Sequence, residues 1–477
     1  MQMYNSDTIL AAMRAVELTM LTHGIDFASA CEALGRVPYQ KQSDQPPPDA
    51  RHWINLCSGQ WWVNLNNTRY VHPPDAAWSP YLRPIEPYLR LPMAPNLIDS
   101  FDDIRDPESP AAQALMDPNL IDACRTNLRS IGDDYGVLAS LGRLPYVYRD
   151  WAYRFGADAA DVFFLTGLQD RDISYAPTYT CRKAADLVDL HLAILRAIAA
   201  GLAPVLRKRL IPSAQSLQST QQNYSVGSVR TPTTEAMKTL FTGVHELITR
   251  SRSSRKRIVY HNALTLYVIL SLTLATLSRP TSTRFMRRSD FSSDFRYVHV
   301  SDKDRDSYLG SRVLPLIERI VALLMFYESE RASLLEWLSI HQDAAVRAVE
   351  SFADGTPITD SRYEEYQARL KSPSLLFYLS PGYEPLNVTR EMIGHEYARW
   401  FKPGLYTLRH YMRTRLRELG VSGYVLDYAM GHGILLASAH HKYSTLDLSQ
   451  IADTLLVGVN AVFDEIDWQP VTEAFAP

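Results

Sequence analysis

At 477 residues the chain is too long for one ordinary core, so two or three domains are expected. A hydrophobic share of 46% with 21% charged residues excludes a disordered chain, and a net charge of −3 gives no overall polyanion-binding character. The charge is unevenly spread: residues 1–130 hold 15 acidic against 10 basic side chains, whereas 250–316 hold 13 basic against 5 acidic. Local charge sets the field that a phosphate backbone meets, so the second region keeps nucleic acid open as a partner.

Residues 5–35 carry apolar positions at three- and four-residue spacing and predict helix. From about 37 to 110 the proline-rich stretches QPPPDARHW, VHPPDAAWSP and RPIEPYLRLPMAP break any long helix, and QWWVNLNNTRYVH predicts a short hairpin turned at Asn66-Asn67. Helical texture resumes over 110–205. It ends in RKAADLVDLHLAILRAIAAGLAPVLRKRL, which reads as one long amphipathic helix with a basic end. Residues Ile211–Glu235 are rich in Ser, Gln and Thr, the composition of a linker. Two helices are expected at about 233–250 and 258–278. The apolar stretch Leu264–Ser278 is too short to span a membrane and predicts a buried core helix.

A three-strand element is expected next, its clearest strands being RYVHVSD and SRVLPL around the turn KDRDSYLG. A long helical insertion at about 317–352, the loop ADGTPITDS and further helix lead to the basic stretch LYTLRHYMRTRLRELG, Leu405–Gly420. The four cysteines, Cys31, Cys57, Cys124 and Cys181, are far apart with no CxxC and read as reduced structural thiols. The first residues show no basic region followed by an apolar run, so a cytoplasmic protein with no membrane role is expected.

The chain has no GxxxxGK[ST], GxSxG, HExxH or GxGxxG. GHEYARW lacks a second histidine four residues on. His432, His440 and His441 have no carboxylate or thiolate at ligand spacing, so no metal and no cofactor are expected. What remains is a set of cationic and phenolic side chains at particular stations: Arg279 after the apolar helix, Lys303 in the strand turn, Arg409 near a helix start, His432 in a Gly-His-Gly turn and Tyr443 beyond it. Guanidinium forks match the non-bridging oxygens of a phosphodiester, a phenol can form a covalent phosphate ester, and a lysine can protonate a leaving alkoxide. The basic stretch itself offers two pairs of equal spacing, Tyr406/Arg409 and His410/Arg413.

The order of these stations resembles the tyrosine recombinase (phage-type integrase) family over about residues 228–460. TLSRPTSTRFMRRSD resembles the family's T-G-L-R-x-x-E-x-x-x-L-x-x-x-D, with Arg279 at the first arginine, Asp290 at the closing aspartate and Ser282 in place of the glutamate. Lys303 stands at the hairpin lysine. Tyr406-Thr407-Leu408-Arg409-His410 aligns with H-x-L-R-H, so Arg409 is the second arginine and Tyr406 occupies a histidine's station. Met430-Gly431-His432 corresponds to the L-G-H box, and Tyr443 follows it at a slightly longer interval than the family's nucleophile.

The resemblance implies a mainly α fold with a small β-sheet (α+β). Residues 1–130 would be an N-terminal extension of unknown role, 131–227 a helical core-binding domain ending in a linker, and 228–477 the catalytic domain with a C-terminal tail helix. It implies cleavage and rejoining of double-stranded DNA through a 3′-phosphotyrosine, without a cofactor, by Arg279, Lys303, Arg409, His432, Tyr443 and Tyr406. Tyr406 can donate a hydrogen bond there, but a phenol is a poor proton acceptor at neutral pH. Arg255, Lys256, Arg257, Arg287, Arg288 and Arg413 are expected to meet the DNA backbone. A homotetramer on two DNA sites, accessory recombination proteins, a mobile genetic element and a bacterial, nucleoid-associated location are implied in the same way. The alternatives are a DNA-binding or architectural member whose chemistry has weakened, and strand relaxation of the type IB topoisomerase kind.

Overall fold

The computed structural model describes residues 6–37, 46, 49–56, 58–65, 75–168, 176–212, 223–279, 287–301, 311–341, 375–383, 385–431 and 447–475. These residues are mostly helical with small antiparallel sheets, an α+β architecture. The chain forms two compact units: residues 1–73 with 84–229, and residues 74–83 with 230–477.

The first unit is built on the helix Ser6–His23, whose Ala12, Ala15, Val16 and Met20 are buried. Gly24, at φ +65°, ends it in a conformation that favours glycine, and a Cβ there would come within 2.7 Å of the Tyr148 ring. Asp26 caps the next helix, Phe27–Gly35, by accepting from the Ser29 N–H at 2.8 Å. Strands β1 (His52–Asn55), β2 (Gln60–Asn64) and β3 (Tyr88–Pro92) form an antiparallel meander. Their alternation puts Trp61, Val63, Leu89 and Leu91 into the core, while the Arg90 guanidinium lies 4.6 Å over the Trp62 ring on the other face. Strand β2 pairs backwards with β1, with Asn55 opposite Gln60; the hairpin turn expected at Asn66-Asn67 lies outside the described residues.

The division expected near residue 130 does not divide this core. Tyr148, Phe163, Phe164 and Leu187 join the same cluster as Val16, Trp61 and Leu89. The expected long basic helix is two helices, Ala184–Ala199 and Pro204–Leu210, because Gly201 weakens the helix and Pro204 suits the first turn of a new one. Part of the expected linker is core as well. Strand β5 (Ser225–Gly227) pairs with β4 (Cys181–Lys183), and Val226 is fully buried. Cys31, Cys124 and Cys181 are free thiols, and Cys57 lies outside the described residues.

Three histidines are sealed in this core. Tyr148 Oη and the Nδ1 of His191 are 2.7 Å apart, and the His191 Nε2 lies 3.1 Å from the Pro92 carbonyl. A donated Nε2–H to that carbonyl leaves Nδ1 to accept from the phenol, which sets a neutral ring. His23 and His52 lie against Trp61, with ring centroids 4.4 and 5.3 Å away. Burial holds His23 well below the usual histidine range, His52 at about 3 and His191 at about 4.

The second unit begins with an antiparallel pair of helices, Thr234–Ser253 and Arg257–Ala275, the first capped by Thr233 Oγ1 accepting from the Ala236 N–H. The Arg257–Ala275 helix is long and apolar enough to cross a membrane, but it is mostly buried inside the unit. Its few polar side chains have specific partners. Asn262 exchanges two hydrogen bonds with the Leu379 backbone, at 2.9 and 2.7 Å, which pins strand β8 (Phe377–Leu379) to the helix. Ser271 accepts from the Trp468 indole at 3.0 Å, and Tyr267 donates to the Gln469 carbonyl at 2.6 Å. The chain end after the Leu448–Glu465 helix is thereby strapped across the apolar helix.

Strands β6 (Tyr297–Ser301) and β7 (Ser311–Pro315) form the expected ladder, with Phe291 bridging to Val298 in place of a full third strand. The helix Glu318–His341 follows; strand β9 (Pro385–Asn387) pairs with β8, and the helices Arg390–Tyr397, Tyr406–Glu418 and Gly423–Ala429 complete the unit. Residues 74–83 also belong here: Arg83 grips Glu418 with both terminal nitrogens, at 2.7 and 3.3 Å, and the Thr233 N–H donates to the Tyr81 carbonyl. Arg415 joins Glu418 to Glu465 in the same ionic chain.

Two outcomes follow from these cores. The three histidines are neutral when folded but take protons near pH 6.5 when unfolded, so their contribution is complete above about 6.5 and is lost as pH falls towards 4. Stability of the full chain in urea denaturation is expected to fall between pH 7.5 and 5, by about 1–2 kcal/mol for each of His52 and His191. His52→Phe is expected to flatten that dependence; equal midpoints at both pH values would contradict the assignment. Arg83→Ala leaves Glu418 with Arg415 alone and is expected to cost about 1–2 kcal/mol, read in the denaturation of the same chain.

Candidate functional site

The site assembles at the exit of the Arg257–Ala275 helix. Thr276 donates its hydroxyl to the Leu272 carbonyl at 2.7 Å, and Leu277 then turns the chain in a left-handed conformation, φ 50°. The family stretch quoted above carries a glycine at this station. A buried leucine there holds backbone strain of about 1–3 kcal/mol, which the surroundings must over-determine. They do so through Arg409, whose Nη1 donates to the Leu277 carbonyl at 2.6 Å. Arg279, two residues on, is half-buried.

Arg409 lies in the first turn of the Tyr406–Glu418 helix and is fully buried. Its Nη2 donates to the Met430 carbonyl, also at 2.6 Å. Met430 closes the short Gly423–Ala429 helix, and Gly431 at φ +62° turns the chain away from it. The carbonyls at a helix C-terminus carry partial negative charge and need donors, and here they receive guanidinium groups. Arg312, on β7, donates from Nε to the Ala429 carbonyl at 2.6 Å, and the Tyr428 hydroxyl donates back to the Val313 carbonyl at 2.9 Å. Arg413, one turn after Arg409 on the same face, is paired with Asp427 at 3.0 Å and touches the Met430 sulfur at 3.4 Å.

Burial lowers the Arg312 pKa; Tyr428 opposes this, and the Arg279 charge, the smallest of the three effects, lowers it further. Burial, then Arg230 and then Arg409, holds His410 at about 3, so its ring is neutral at ordinary pH. Burial pushes Asp427 up although Arg413 opposes it. Arg312 and Arg409 thus donate to the adjacent Ala429 and Met430 carbonyls at one helix end, and the Arg279 charge acts on Arg312. Such a cluster is suited to an anion with several oxygens, as a phosphate group has.

Of the residues expected to act chemically, Arg279 and Arg409 are brought together through Leu277. Lys303, His432 and Tyr443 lie outside the described residues. Tyr406 stands one turn before Arg409, half-buried, with the Arg390 guanidinium 5.1 Å over its ring. The residues expected on the DNA backbone divide. Arg255 and Lys256 are exposed in the turn between the two long helices, and Arg287 is exposed. Arg288 is half-buried and committed to the Ser292 and Ser293 carbonyls and to Glu328.

Arg257 and Arg413 do not fit that role. Arg257 is buried with its guanidinium over the Trp337 and Phe475 rings, and Arg413 is fully buried in its ion pair. The basic stretch is therefore largely an interior helix, because Arg409 and Arg413 share the face turned to the Gly423–Ala429 helix. Arg312 was missed as a site residue. The signal for it lies in the period of two along SRVLP, which puts Arg312 on the same inward face as Leu314.

Among the described residues no group of three or more His, Cys, Asp or Glu side chains is arranged to hold a metal ion. Comparison with models of known protein families, with curated proteins and with solved structures finds no match for the chain.

Ser278, between the strained Leu277 and Arg279, is fully buried, and its hydroxyl has no hydrogen-bond partner among the described residues. An unsatisfied buried hydroxyl costs about 1–3 kcal/mol. Ser278→Ala is accordingly expected to raise the stability of the chain by about 1 kcal/mol in urea denaturation; a loss of stability would show that the hydroxyl is bonded in solution.

Proposed function

We propose that the chain is a site-specific DNA recombinase of the tyrosine recombinase type, which cleaves and rejoins duplex DNA through a 3′-phosphotyrosine. One observation carries the reading: Arg409 joins the Leu277 and Met430 carbonyls, and so ties together the arginine station at 277–279, the second arginine and the start of the Gly-His box. These stations are far apart in sequence, and their order was what suggested the chemistry.

In this reading the half-exposed Arg279 meets the scissile phosphate and Arg409 supports it from beneath. The Tyr443 phenolic oxygen attacks phosphorus and gives up its proton to solvent as the phosphate ester forms. The bond from phosphorus to the 5′-oxygen breaks, and Lys303 protonates that oxygen. His432 donates to the phosphorane, and Tyr406 donates where the family has histidine. Rejoining reverses the step with a new 5′-hydroxyl, and the ester conserves the bond energy, so no cofactor enters. Arg255, Lys256 and Arg287 track the backbone. The tyrosine-recombinase-like catalytic domain is residues 230–477 with 74–83, and the core-binding domain lies in the unit of residues 1–73 with 84–229. A homotetramer on two sites, accessory proteins, service to a mobile element and a bacterial, nucleoid-associated location belong to the same proposal.

A second reading has one observation in its favour. Arg409 is fully buried and spends two donors on carbonyls, as in an architectural DNA-binding protein that keeps the fold of the site without its chemistry. The two readings separate on a pool of random-sequence duplexes carrying a nick. Wild type is expected to form an SDS-stable protein–DNA adduct, Tyr443→Phe none, and Arg279→Ala about 10²–10³-fold less. Adduct formation by Tyr443→Phe would show that another residue is the nucleophile. Retention of the duplexes by wild type without any adduct would favour the architectural reading.

A further inference from the structure

We infer that Arg312 is a positioning residue of the proposed phosphodiester site, holding the end of the Gly423–Ala429 helix, and with it the Met430–Gly431 turn, in register with Arg409. The inference rests on the recombinase reading for its consequence, but its geometry is independent of that reading.

Three observations support it. Arg312 is an inward-facing residue of a two-stranded ladder and only 2% exposed, a place where an apolar side chain would normally serve. Taking a guanidinium out of water costs several kcal/mol unless its donors are met and its charge is used. Its Nε meets the Ala429 carbonyl at 2.6 Å, the peptide next to the one that Arg409 holds. The neighbouring residues tie the same two elements in the opposite sense, since Tyr428 donates to the Val313 carbonyl at 2.9 Å. Strand and helix end are thus fixed by reciprocal bonds between adjacent residue pairs, 312/313 and 428/429.

The strand leads directly out of residues 302–310, which include Lys303, and the helix end leads directly into His432. The pairing therefore registers β7 against the end of the Gly423–Ala429 helix.

The test uses the full chain with ¹³C-methyl methionine, the Met430 signal being assigned by Met430→Leu. Arg312→Leu is apolar and similar in length, so its melting temperature should remain within a few degrees of wild type. It is expected to displace the Met430 methyl signal and to cut adduct formation on the nicked random-sequence pool at least tenfold. Arg312→Lys, which keeps a cationic donor, is expected to restore the Met430 signal and recover adduct to within a few-fold of wild type. An unmoved Met430 signal in Arg312→Leu would overturn the inference, as would a lysine variant no better than the leucine variant. Should Arg312→Leu fail to fold, the comparison of Arg312→Lys with wild type decides the question on the same signal. If wild type forms no adduct, the recombinase reading fails, and the Met430 signal still settles the positioning role.

Discussion

The hydrogen bonds from one guanidinium, Arg409, to the carbonyls of Leu277 and Met430 hold the candidate site together. They fix a helix exit whose backbone is strained and a helix end whose carbonyls would otherwise lack donors. Because Arg409 is fully buried, these bonds form without competition from water. Arg312 and Arg413 extend the same arrangement on either side, one along β7 and one along the Arg409 helix. Cations here do the work that apolar contacts do elsewhere in the core. That explains how an interior can be rich in arginine while its protein has a net negative charge.

Elements whose own residues decide their structure were legible in the sequence. The apolar run at 264–278 reads as a buried helix, and the Arg257–Ala275 helix, although long enough to cross a bilayer, is mostly buried. RYVHVSD and SRVLPL read as paired strands from their alternation, and they pair in the register Val298↔Leu314. Where tertiary partners decide, the reading departs from the structure. Arg413 and Arg257 looked like surface cations because a sequence shows charge but not the Asp427 carboxylate or the Phe475 ring that receives it. The low-complexity texture of 211–235 concealed β5, whose pairing depends on Cys181–Lys183 more than forty residues earlier. The boundary placed near 130 followed from the family resemblance, whereas the core follows contacts such as Tyr148 on Gly24.

The candidate site shows the same contrast. Arg279 and Arg409 could be singled out from their motifs, although the bond that joins Arg409 to Leu277 spans 132 residues. Arg312 could not be singled out in this way. A strand arginine beside leucines is ambiguous until the carbonyl it serves is known, and Ala429 is 117 residues away. The strain at Leu277 was equally invisible, since nothing in its side chain signals a left-handed backbone. Sequence motifs thus indicated which groups could act on a phosphate, while the groups that hold them in place emerged only from the fold.

The attachment of residues 74–83 to the second unit bears on how such a protein can change over evolution. The chain passes from one unit to the other at 73/74, 83/84 and 229/230, so no single break point separates them. A gene fusion that supplied residues 230–477 alone would leave Glu418 without Arg83 and Thr233 without the Tyr81 carbonyl. Exchange of either half with another lineage needs two coordinated grafts instead of one crossover. The two halves are therefore bound to be inherited together, and a change in what one recognises must be accommodated by the other within the same reading frame.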